Sequence, residues 1–155
     1  MELELKPQHI QPYVIHGLKA KHITDVNLRP EFGEDVEIDG LQLRPVTEHS
    51  SFWSVQFGNR VCSLRFVVPL LRPLFQLTQE ITHNGEAFVP ADYFHDNGHT
   101  IEFAEHGDGW YFEDEVNPSA PFDFLPVYVW SKLIEWHFDV FGLLENNLAI
   151  EKPAH

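Results

Sequence analysis

Between Pro126 and Gly142 the chain reads PVYVWSKLIEWHFDVFG, and only Lys132, Glu135 and Asp139 in that stretch carry charge. Those three recur at intervals of three and four, the spacing of a single helical face. Nearly everything else is apolar, with Trp130, Trp136, Phe138 and Phe141 the bulkiest members. Proline suits the start of a helix and glycine its end, so the pattern predicts one long C-terminal helix from about Pro126 to Phe141. A helix this apolar must be covered nearly all round. A single sheet covers one side of it, so loops or a second copy of the chain are expected to cover the rest, which makes a homo-oligomer an expectation. His137 falls opposite the charged stripe and is therefore expected inside, as a neutral hydrogen-bonded core histidine.

Upstream the signals are short strands and turns. Residues 13–23 alternate partly and predict a first strand, with Gly17 as a bulge. Asp39-Gly40 between Val36, Ile38, Leu41 and Leu43 predicts a hairpin, and Gly58-Asn59, between Phe52, Trp53, Val55 and Phe57 and the run VCSLRFVV, predicts another. Pro73 is placed to open a short helix over LFQLTQEI, Asn84-Gly85 marks a turn, and 91–96 suits a helical turn. HTIEFAE and GWYFEDE are expected as two strands joined at residues 106–109, and the three prolines in 117–126 predict irregular chain. GLLENNLAIEK closes the chain as a short turn or strand. With 155 residues, no repeat and no long linker, one domain spanning 1–155 is expected. Its class is α+β, mainly antiparallel sheet and hairpins packed against the C-terminal helix.

Charge is distributed unevenly. Residues 1–72 hold eight Lys/Arg against nine Asp/Glu, whereas residues 73–131 hold eleven Asp/Glu and no Lys or Arg at all. Phosphate backbones are held by Lys and Arg, so direct nucleic-acid binding is excluded as an expectation. A field of one sign suits a protein partner with a basic surface. Cys62 is alone, so no internal disulfide forms and a reducing compartment is expected. The N-terminus lacks a basic segment followed by an apolar run, and no apolar run approaches a membrane span of about 18 residues, so neither secretion nor membrane insertion is expected.

Two groups of residues are candidates for a site. The first combines acids and aromatics: Glu102, Glu105, Asp108, Trp110, Tyr111, Glu113, Asp114 and Glu115. On a strand, Trp110 and Phe112 share one side with Asp114 while Tyr111 and Glu113 share the other. Aromatics beside carboxylates suit recognition of a basic protein. The second is His95, Asp96, His99 and His106, interleaved with Glu102 and Asp108. Imidazole and carboxylate together can hold a divalent metal. The spacing matches no zinc signature, and Asn97-Gly98 argues against a helix that would align His95 with His99, so no metal is favoured and no cofactor is expected. Cys62 sits in an apolar strand pattern, which favours a structural thiol. No Gly-x-Ser-x-Gly elbow, phosphate-binding glycine loop or His-Glu-x-x-His motif occurs.

Three stretches resemble a group of small proteins found in phages and prophages of Bacteroidetes-type bacteria, to which no activity is assigned. PYVIHGLK (12–19) is similar to that group's Pro-Tyr-Leu-x-x-Gly-Leu-Lys opening. PLLRPLFQLTQEITHNGEAFVP (69–90) is similar to its Pro-x-Leu-Arg-Pro-Leu-x-x-Leu-Thr segment and the Asn-Gly-Glu-x-Phe-x-Pro turn that follows. LIEWHFDVFGLLENNLAI (133–150) is similar to its Leu-x-Glu-x-His-x-Asp-Val-Phe-Gly-Leu-Ile ending. The matches keep their order and span roughly a third of the chain. The resemblance implies a phage or prophage product acting in a bacterial cytoplasm, and it transfers no catalytic or binding residue.

From residues and resemblance together, the expected function is that of an accessory, non-enzymatic protein-binding domain using an acidic face. The alternatives are a small-ligand module with an aromatic-lined pocket and a metal-dependent hydrolase built on the 95–108 cluster.

Overall fold

The computed structural model describes residues 4–24, 27, 29–45, 51–98, 102–106, 109–113, 120–121 and 125–155. The chain begins with a helix, α1 (Pro7–Val14), where a strand was expected to start at residue 13. Pro7 supplies a preset φ in the first turn, and the Lys6 amide donates to His9 Nδ1 at 3.0 Å. Ile10 and Tyr13, three residues apart, form the fully buried face. Gly17 turns the chain at φ +70, a conformation that favours glycine, and the strand β1 then runs only over Lys19–His22.

β1 sits inside a sheet of order β12-β6-β1-β2, formed with β2 (Glu34–Glu37), β6 (Val67–Leu71) and β12 (Ile150–Glu151). β12 joins β6 in parallel and the other pairs are antiparallel. The β1–β2 register places Lys19 opposite Glu37 and Lys21 opposite Asp35, and both pairs form ion pairs. Arg60 adds a two-pronged contact to Glu34 at 2.7 and 2.9 Å. Much of the cationic charge of the first 72 residues is thereby matched within that half.

The second sheet is a meander of β3 (Gly40–Pro45), β4 (Ser51–Phe57) and β5 (Arg60–Ser63). The expected turn at Gly58-Asn59 is present, with Gly58 at φ +65. The hairpin expected at Asp39-Gly40 is absent: β2 pairs with β1, and β3 pairs with β4. Ile38 is fully buried, its amide donates to the Leu18 carbonyl, and the Asp39 amide donates to the Gln56 carbonyl, each at 2.8 Å. The chain crosses from one sheet to the other at these residues, so burial of Ile38 overrides the turn preference of the dipeptide.

Farther on, Pro73 precedes a 3-10 turn over Leu74–Thr78. β7 (Ile81–His83) and β8 (Glu86–Phe88) form a hairpin through Asn84 (φ 51) and Gly85 (φ 84), the two positive φ values of a type I′ turn. α2 (Pro90–Asp96) follows. β9 (Glu102–His106) and β10 (Gly109–Glu113) form the expected strand pair, and a two-residue strand β11 (Ala120–Pro121) joins β10 within the stretch expected to be irregular.

The C-terminal helix α3 covers Val127–Glu135, nine residues, so the expected long helix to Phe141 is corrected to barely half that length. The Lys132–Glu135 pair on its outer face is present at 3.1 Å. Beyond it Trp136, His137, Phe138, Asp139 and Val140 are all buried in succession, a pattern no single helical face produces. His137 takes φ +65, which ends the helix. Phe138 then forms a parallel bridge to Arg72, with the Arg72 amide donating to the His137 carbonyl (2.7 Å) and the Asp139 amide to the Arg72 carbonyl (2.9 Å). The apolar run is covered by the chain itself as an inserted strand-like segment, with Trp136 packed among Phe88, Tyr93 and Phe94.

Tyr13 ties α1 to this segment. Its hydroxyl donates to the Phe138 carbonyl and accepts from the Val140 amide at 3.2 Å. Tyr13→Phe removes both of these bonds and leaves the Val140 amide only its 3.0 Å bond to the Phe138 carbonyl, so it is expected to lower unfolding free energy by about 1 kcal/mol in a urea titration. A change under about 0.5 kcal/mol would show that the hydroxyl is dispensable.

The buried apolar residues of all these elements form one contiguous cluster. Among the described residues, no helix is long and apolar enough to cross a membrane.

Candidate interaction groove

The strand pair β9–β10 places the first candidate group. Antiparallel register sets Glu105 opposite Trp110, Phe103 opposite Phe112 and Glu102 opposite Glu113. Phe112 is 1% exposed, which identifies the inner face; alternation then puts Phe103, Phe112, Trp110 and Glu105 on it and Tyr111, Glu102 and Glu113 on the outer one. Trp110 packs partly against the core. The expected interaction residues are therefore divided between two faces, with Glu105 and Trp110 together on one. Asp108, Asp114 and Glu115 lie outside the described residues.

Glu105 and Trp110 open onto a groove of about 620 Å³. One wall is Asp139–Gly142 with Leu144 and Glu145, and Trp130 of α3 and Pro73–Phe75 at the 3-10 turn complete the lining. This wall exists because the helix stops at Glu135. Asp139 is 6% exposed and its two carboxylate oxygens accept from the Leu143 and Leu144 amides, both at 2.9 Å, which folds residues 143–147 into a turn. Gly142 (φ +71) allows the change of direction. Phe141 is thereby turned outward, its ring edge-on to Trp130 at 6.0 Å and to Tyr13 at 6.1 Å. Four aromatic side chains, Phe75, Trp110, Trp130 and Phe141, thus line it with the exposed carboxylates of Glu105 and Glu145 and the buried Asp139, and among the described residues no Lys, Arg or His does so.

The electrostatics around it follow the sequence. Glu80, Glu86, Asp92, Asp96, Glu102, Glu105 and Glu113 are all exposed. None makes an ion pair with a lysine or arginine among the described residues. Glu102 faces Glu113 directly across the strand pair, an arrangement of like charges that is unfavourable without a counter-charge.

No protein family, curated protein or solved structure matches this chain. The groove must be judged on its own chemistry.

The second candidate group is less convergent. His95 and Asp96 are exposed at the end of α2. His106 pairs with Gly109 through the backbone, while its side chain and all of His99 lie outside the described residues. Among the described residues, no three His, Cys, Asp or Glu side chains gather as metal ligands do.

Burial sets the remaining reactive groups. The Cys62 thiol on β5 is pushed up to about 11 by burial, so it is protonated at neutral pH and a weak nucleophile. His137 is buried as expected, its Nε2 2.8 Å from the His16 carbonyl. Burial holds it down to about 3, and the neighbouring His83, 5.0 Å away ring to ring, down to about 4. Both are neutral at physiological pH.

Sequence reading missed Phe75, Trp130, Phe141, Leu144 and Glu145. Within a continuous helix, Trp130 and Phe141 would stand apart along the axis, and only the break after Glu135 brings their rings together.

Proposed function

We propose that this chain is a binding domain, a phage or prophage accessory protein as its resemblance suggests, that docks a basic segment of another protein in the groove between β9–β10 and residues 139–145. The observation that carries this reading is the groove's lining: aromatic walls with carboxylates and, among the described residues, no cation. Aromatic side chains give large contact area at low conformational cost, and a single sign of charge at the rim selects and steers a partner of opposite sign. A volume of about 620 Å³ lies in the range of sites that enclose a ligand or a few residues of a peptide. The absence of Lys and Arg across residues 73–131 extends the same field beyond the groove.

The test uses the indole N–H signals of the four tryptophans, assigned by Trp→Phe variants, in an ¹⁵N-labelled sample. Two capped peptides of equal length, one rich in arginine and leucine, the other in glutamate and leucine, are titrated in turn. The basic peptide is expected to shift Trp110 and Trp130 and to leave Trp53 and Trp136 in place. Its affinity should fall about tenfold or more when salt is raised from about 50 mM to about 500 mM, because rim charges are screened. Equal response to the acidic peptide, or no response at Trp110 and Trp130 to either, would overturn the proposal.

A further inference from the structure

We infer that the recognition element of this groove is the cross-strand pair Glu105–Trp110, and that it takes an arginine side chain, with the guanidinium stacked on the indole and forked onto the carboxylate; this rests on the binding reading above. Residues directly opposite in an antiparallel pair have β-carbons about 5 Å apart, so register sets Glu105 and Trp110 side by side on one face. Both line the groove. Trp110 is half-buried, which fixes its ring, whereas Glu105 is exposed and has no cationic partner among the described residues.

Most of the protein's lysines and arginines have partners elsewhere among the described residues. Arg60 is held by Glu34 and lies over Phe57, and Arg65 lies over its neighbour Phe66. Lys132 is shared by Glu135 and the Tyr93 ring, and Arg72 is buried among carbonyls. The cation that Glu105 takes is supplied by the partner. Guanidinium fits better than ammonium because it is planar: one face stacks on an indole while its edge presents paired N–H donors to a carboxylate. Glu145 and the Phe141 ring on the wall of residues 139–145 would receive the residues that flank the arginine, a second basic residue and an apolar one.

Three capped tripeptides test this, each with one central residue between two leucines: arginine, lysine, or citrulline as the neutral isostere. Isothermal titration against the whole chain at low salt is expected to rank arginine above lysine and citrulline last, with about tenfold or more between first and last. Glu105→Gln, an exposed and nearly isosteric change, should remove most of that preference. Trp110→Phe keeps an apolar ring on the inner face and should weaken the arginine peptide several-fold. If all three bind equally and Glu105→Gln changes nothing, the arginine assignment fails while the groove still binds peptide. If none binds, the binding reading fails and takes the assignment with it.

Discussion

Arg72→Met is expected to lower the unfolding free energy by about 3–5 kcal/mol, a large part of the 5–15 kcal/mol typical of a domain. Arg72 is 1% exposed and has no carboxylate partner among the described residues. Its guanidinium donates to the carbonyls of Trp136 (2.9 Å), Thr82 (2.9 Å), Pro153 (3.0 Å) and Ala154 (3.4 Å), and to Gln76 Oε1 at 3.4 Å. Those acceptors belong to the end of α3, to β7, to the C-terminal tail and to the 3-10 turn. One side chain therefore satisfies the carbonyls of four segments, and the outward dipole at the end of α3 favours its positive charge. Burial lowers its pKa to about 10, which still leaves it charged at neutral pH. Methionine has similar length and no donor, so the apolar stem is replaced while each carbonyl keeps its desolvation cost. Arg72→Lys should recover only part of the loss, because an ammonium has three donors and no planar fork to span acceptors on separate segments. Urea titration and thermal unfolding measure this. A Met variant within 1 kcal/mol of the parent would show that the clamp is incidental.

The same residue shows where sequence reading reached its limit. Arg72-Pro73 reads as punctuation with a short helix after it over LFQLTQEI, and the chain forms a 3-10 helix there over Leu74–Thr78 only. Nothing local signals that an arginine between Leu71 and Pro73 is buried, because its acceptors lie up to 82 residues away in the chain. Local turn chemistry was readable at Gly58-Asn59 and Asn84-Gly85, where two residues settle the backbone. It failed at Asp39-Gly40, where the sheet-crossing contacts of Ile38 decide. Alternation correctly paired Trp110 with Phe112 on one face of β10. Exposure was not readable from it, and neither was the groove, since one of its walls depends on the end of α3. That end was misplaced because an unbroken apolar pattern looks the same whether it is a helix covered from outside or a segment threaded through the core. The interior position of His137, by contrast, followed from its place opposite the charged stripe, although the helix that argued for it ends before it.

The protein should lose stability steeply in mild acid, with His137 as a principal cause. Neutral His137 uses Nε2 to bond the His16 carbonyl, while its Nδ1 is buried without a partner among the described residues. Burial is the main reason its pKa falls to about 3, and the charges of Lys152, His83 and Arg72 push the same way. In the unfolded chain a histidine titrates near 6.5. The folded form therefore binds the proton more weakly, and the stabilisation is complete above pH 6.5. As pH falls below that value the unfolded state takes up a proton the folded state refuses, and stability drops by about 1.4 kcal/mol per pH unit for this one group, down to about pH 3. His83, held to about 4 by partial burial and the nearby Arg72 and Lys152, adds a smaller contribution over the upper part of the same window. The Glu34 carboxyl, held low chiefly by Arg60, contributes in the acid range whatever stands at 137. The comparison that isolates His137 is thus one of slopes. The unfolding free energy of the parent, plotted from pH 7 to 4.5, should fall more steeply than that of His137→Gln by close to one proton. Gln offers an amide donor for the His16 carbonyl and does not titrate, and any constant cost of placing it at φ +65 cancels from the slope. Parallel curves would mean that protons enter the folded core at 137 without penalty, and the buried neutral imidazole would have to be abandoned.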